Sequence, residues 1–125
     1  MDLEDYFYYV EVESDSLKNY LVKTITKIIE SGFQEELSFG PVIEGPTISG
    51  EDAEVTEDGD IRINFNRLKK YDEDVVMAII AHELAHHHLK HFKDWEKDGL
   101  VKEHEADSLA KDWGFNIGLF RKICG

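Results

Sequence analysis

With 125 residues, 42% of them hydrophobic and 33% charged, the chain has the length and balance of one globular domain spanning 1–125, not of a disordered segment or of two modules. Acidic residues outnumber basic ones 27 to 14 and the formal net charge is -13. No cluster of Lys and Arg is large enough to cradle phosphates, so nucleic acid is not an expected partner. The longest uncharged apolar run, residues 75–81, is too short to span a bilayer, and Met1 to Asp5 shows no export leader. The single cysteine, Cys124, excludes an internal disulfide framework. These features make the cytoplasm the expected compartment, with no membrane partner.

Tyr6, Tyr8, Val10 and Val12 alternate as a short strand would, although the aromatic run also fits a helical turn or a loose terminus. From 14 to 31 the apolar residues Leu17, Tyr20, Leu21, Ile25, Ile28 and Ile29 recur at helical spacing, with Ser14 or Ser16 as cap and Gly32 as stop. Residues 33–66 hold both prolines and short β-type runs at 37–39, 42–48, 53–56 and 60–65. Glu57-Asp58-Gly59 carries the Asp-Gly signal of a tight hairpin, which makes the last two runs antiparallel neighbours.

A second helix is predicted from about Asp72 to about His91. Asp72, Glu73 and Asp74 place negative charge in its first turn, and Val75 to Ala81 with Leu84 and Ala85 make it apolar on nearly every side, as a buried helix is. A third helix should run from Leu100 to Trp113 and stop at Gly114, and Asn116 caps a short last one reaching Cys124. The expected class is α+β: a small, mostly antiparallel sheet of about three strands against the second helix, the third and the N-terminal one.

Within the second helix His82-Glu83-Leu84-Ala85-His86 matches H-E-x-x-H. Two imidazoles four positions apart turn ~400° in sum, leave the same face and can share one metal, a spacing that suits zinc. Glu83 is offset by ~100° and can reach the open side of the ion to take a proton from water. On so apolar a helix the histidines would be costly without partners, and a metal would satisfy them. Glu103 begins Glu103-His104-Glu105-Ala106-Asp107 on the following helix, 17 residues past His86, and shares a face with Asp107. It can supply a third ligand and leave a position for water, while Asp107 can orient a ligand imidazole. Glu105 points away from Glu103 by ~200° and is expected to be solvated or to pair helices.

The motif followed by Glu103-His104-Glu105-Ala106-Asp107-Ser108-Leu109-Ala110 resembles the gluzincin clan of zinc peptidases, in which a "glutamate helix" supplies the third ligand. The resemblance covers roughly 52–113. In size and layout it is nearest the minigluzincins, and the metallopeptidases that act with phage-type repressors are also similar. The interval from His86 to Glu103 is short for the larger families, and His87 and His88 stand where the extended motif usually has uncharged and then apolar residues.

The resemblance implies a zinc-dependent peptidase acting on peptide or protein substrates, with one zinc on His82, His86 and Glu103, Glu83 as the catalytic base and Asp107 behind the ligands. It also implies that Asp60, Ile61, Arg62, Ile63 and Asn64 form an edge strand that binds extended substrate, and that the full chain can be latent, with residues 119–125 as a candidate self-blocking tail. A non-catalytic zinc-binding regulatory protein that recognises a protein partner is the alternative. His87 and His91, near Lys90 and Lys93, are expected on the surface, as is His104, and Trp95 and Trp113 are expected to pack. No residue stands out as the electrophile, Tyr71 being a guess.

Overall fold

The structure, a computed structural model, describes residues 10–125. Its class is α+β, as expected. The Tyr6 and Tyr8 alternation lies outside the described residues.

Strands β1 (Val10–Glu11), β2 (Val42–Glu44), β3 (Ala53–Val55) and β4 (Ile61–Ile63) form a four-stranded sheet in the order β1-β2-β4-β3. The run at 37–39 does not join it. The Asp-Gly hairpin forms as predicted: β3 pairs antiparallel with β4, and Gly59 takes the left-handed φ of 86° that the turn needs. The sheet is nevertheless mixed where a mostly antiparallel one was expected, because β1–β2 and β2–β4 are both parallel. Strand direction follows the connection. A full helix joins β1 to β2, and the excursion through β3 joins β2 to β4, so each strand returns the same way round.

Helix α1 (Asp15–Glu30) starts at Ser14, whose hydroxyl accepts from the Leu17 N–H, and buries Leu17, Leu21, Ile25 and Ile28. A four-residue helix α2 (Phe65–Leu68) follows β4, where a strand running to Phe65 was predicted. Helix α3 (Glu73–His88) opens at Asp72 and is the centre of the molecule. It packs against α1, β3, β4, α4 (Gly99–Asp112) and α5 (Ile117–Cys124), which is why its first half is apolar all round.

Helix α3 ends before His91. Lys90 adopts a left-handed φ of 58°, and a single 3-10 turn, His91–Lys93, leads to α4. At the start of α4 Asp98 accepts from the Leu100 N–H, and at the start of α5 Asn116 accepts from the Leu119 N–H. Trp113 is buried edge-on against Phe33, whereas Trp95 is exposed. Among the described residues no helix is long and apolar enough to cross a membrane.

Candidate metal centre

His82 and His86 leave α3 toward α4, where Glu103 meets both. His82 Nε2 lies 3.0 Å from Glu103 Oε2, His86 Nε2 lies 3.2 Å from Glu103 Oε1, and the two imidazole Nε2 atoms are 3.0 Å apart. Helical periodicity places the first pair, and α3–α4 packing delivers the third member.

The chemistry of this donor set fits a cation. Two imidazole nitrogens and a carboxylate aimed into one small space cannot all present lone pairs to each other without positive charge between them. Separations of 3.0 to 3.2 Å approach the ~3.3 Å edge of a tetrahedron whose corners lie ~2.0 Å from its centre, the arrangement zinc prefers. His82, His86 and Glu103 are thus a group that could hold a metal ion.

The charges respond accordingly. The close approach of His82 and then of His86 holds the Glu103 carboxyl far below the ordinary carboxylate range. Burial pulls His82 down, but the bond to Glu103 and the charges of Glu83, Glu103 and Asp107 outweigh it, and its pKa is raised. Burial pushes Glu83 up, against the pull of His82 and His86 and with the help of Glu103 and Glu51.

Asp107 stands where the sequence placed it, with Oδ1 2.8 Å from His82 Nδ1, although that nitrogen lacks the alignment of a hydrogen bond. Glu105 turns the other way, to His91 and Lys97. His104 is exposed.

Two cavities meet at the cluster. One, of about 830 Å³, is bounded by Ala53, Tyr71, His82, Glu83, Glu103 and Phe120, with Arg121 and Cys124 beside them. The other, of about 210 Å³, is bounded by Glu54, Val55, Glu83, His86, His91 and Glu103. The Tyr71 hydroxyl is not free at the first cavity, because it donates to Asp52 Oδ2 at 3.0 Å. Burial raises its pKa, reinforced by its contacts with Cys124 and Asp52.

The assignment of Asp60, Ile61, Arg62, Ile63 and Asn64 as a substrate-binding edge is corrected by the strand order. β4 is an interior strand with β2 on one side and β3 on the other, and the side chains of Ile61 and Ile63 are buried in the core. Asp60 and Asn64 also bond into β3's flanks, through Thr56 N–H to the Asp60 carbonyl and Asn64 N–H to the Asp52 carbonyl. The edge beside the cluster is β3.

Two features were not legible in the sequence. Arg121 on α5 bonds both Asp107 and Glu103. His87 and His91, expected on the surface, are buried: His87 lies against Ser38, Gly40 and Phe92, and His91 against His86. Nothing in the sequence around His91 marks the left-handed turn at Lys90 that brings it back to His86. Comparison with protein families, curated proteins and solved structures finds no match to this chain.

Proposed function

We propose that this chain is a zinc-dependent peptidase of gluzincin type, in which His82, His86 and Glu103 hold the ion and Glu83 is the catalytic base. The observation that carries the reading is the convergence of three ligand atoms beside a buried carboxylate, on the wall shared by two cavities. When bound at such a site, zinc acidifies water and polarises a peptide carbonyl. Glu83 takes a proton from the attacking water and passes it to the leaving amine nitrogen. Burial raises the pKa of its carboxyl, which makes it a stronger base for the first half of that transfer.

Substrate binding belongs to β3. Hydrogen bonds at the Asp52–Asn64 and Thr56–Asp60 pairs, with the alternation of an antiparallel ladder, turn the backbone groups of Glu54 toward β4 and those of Ala53 and Val55 to the open edge. An extended peptide adding there would gain main-chain hydrogen bonds next to Glu83 and His86. Among the described residues Arg121 is the cation bonded to the carboxylates of the cluster and the one best placed to meet developing negative charge, provided that it leaves Glu103.

That same contact favours latency of the intact chain. Arg121 engages Glu103, and Phe120 lies against the His82 ring with centroids 5.4 Å apart. Residues 119–125 are largely helix α5 rather than a loose tail, so release would require α5 to shift. The second reading, a metal-holding regulatory protein without turnover, draws on the same contact.

The deciding experiment measures bound zinc and peptide cleavage together. Glu83→Gln should keep about one zinc per chain and lower hydrolysis by about 10²- to 10⁴-fold, whereas His86→Ala should lose both. Equal cleavage by wild type and Glu83→Gln would overturn the catalytic assignment. Zinc uptake with no cleavage, even after α5 is loosened by Phe120→Ala, which removes its contact with the His82 ring, would favour the regulatory protein.

A further inference from the structure

His86 is held from behind by a chain of polar contacts that the H-E-x-x-H motif does not contain. His86 Nδ1 lies 2.8 Å from His91 Nδ1, and His91 Nε2 lies 2.9 Å from Glu105 Oε1. Lys97 Nζ closes the chain on both Glu105 oxygens, at 3.0 and 3.1 Å. His91 reaches this place because Lys90 turns left-handed. On an uninterrupted helix, five positions past His86, it would project ~140° away.

With His91 neutral, one arrangement of hydrogens satisfies the contacts that run from His86 Nδ1 through His91 to Glu105. A carboxylate only accepts, so His91 Nε2 donates to Glu105. A neutral imidazole has one N–H, so His91 Nδ1 accepts, and His86 Nδ1 must be the donor to it. His86 Nε2 is then left with its lone pair directed at His82 and Glu103, the form in which imidazole binds a metal.

We propose that His91 and Glu105 are positioning residues that set the tautomer and ring orientation of His86, as Asp107 stands behind His82. Of the three groups behind His86, His91 and Lys97 come from the segment between α3 and α4 and Glu105 from α4 itself, so the docking of α4 would be coupled to the readiness of His86. The consequence for metal affinity rests on the metal-binding reading above; the tautomer does not.

The test uses the full chain. Imidazole ¹⁵N NMR of the metal-free protein at pH 8 reports the His86 tautomer, and zinc titration against a chromophoric chelator reports affinity, with thermal melts of each variant confirming the fold. Wild type should show His86 protonated at Nδ1. Glu105→Ala, at a half-exposed position, should mix the His86 tautomers and weaken zinc by about tenfold, and His91→Phe, which keeps a buried ring, should weaken it by about 10- to 100-fold. Glu105→Gln, whose amide oxygen still accepts from His91, should stay within about threefold of wild type. A Glu105→Ala chain with the wild-type tautomer and zinc affinity would overturn the proposal. Failure of the wild-type chain to take up zinc would remove the metal reading alone, and the tautomer comparison would still decide the role of His91 and Glu105.

Discussion

Arg121 grips Asp107 side-on, with Nε 2.8 Å from Oδ2 and Nη2 2.8 Å from Oδ1. The same Nη2 reaches Glu103 Oε2 at 3.1 Å, the oxygen that also faces His82 Nε2. The last helix therefore places a fixed positive charge against the carboxylate proposed as third ligand and against the one behind His82. Mutual attraction raises the Arg121 pKa, Asp107 contributing most, so this charge persists at any working pH.

A metal entering the cluster must share Glu103 with Arg121. Arg121→Ala should raise zinc affinity by about fivefold, the size of a nearby like-charge repulsion partly screened by solvent, and the gain should shrink in high salt. Chelator competition at two ionic strengths checks this. A loss of affinity would instead mean that Arg121 orders Glu103 for the metal.

The free edge of β3 predicts which backbone donors matter for peptide binding. Val55→Pro removes an outward N–H without breaking the ladder to β4, because Val55 does not bond β4 through that group. Circular dichroism should be unchanged and KM for an extended peptide should rise, by about fivefold for one lost main-chain hydrogen bond. Unchanged KM with an intact fold would remove β3 as the substrate strand.

Gly40 marks a close approach between the segment after α1 and the end of α3. A Cβ added there would overlap the Gly59 carbonyl oxygen and His87 Nε2, neither of which can retreat, since one is backbone and the other belongs to a buried ring. Gly40→Ala should cost about 1–3 kcal/mol in urea unfolding, the range for overpacked sites. A neutral outcome would show that this corner is looser than its distances indicate.

His87 should make the metal-free protein acid-sensitive. Burial lowers its pKa, opposed by its bonds to Ser38 and Gly59, so the native state binds this proton less readily than the unfolded chain. The stability that follows is complete above the unfolded value of about 6.5 and is lost as pH falls through the lower folded value. His91, lowered mainly by burial, acts in the same direction, and His82, which is raised, acts in the opposite one. The difference between wild type and His87→Asn isolates the residue: denaturant midpoints at pH 7.5 and pH 5 should show wild type losing more than the variant. Parallel losses would mean that another group governs acid sensitivity.

What the sequence determined by itself is whatever local periodicity dictates. His82 and His86 share a face because of helix pitch, Glu103 and Asp107 share theirs for the same reason, and Asp58-Gly59 bends a hairpin because only a left-handed residue closes it. The all-round apolar α3 announced its own burial. Tertiary structure decided everything that depends on distant segments meeting: that β4 lies inside the sheet and β3 at its edge, that α5 brings Arg121 onto Glu103, and that one left-handed residue, Lys90, folds His91 back against His86. Strand order and helix docking are settled by the summed burial of the whole core, and no window of sequence contains that sum.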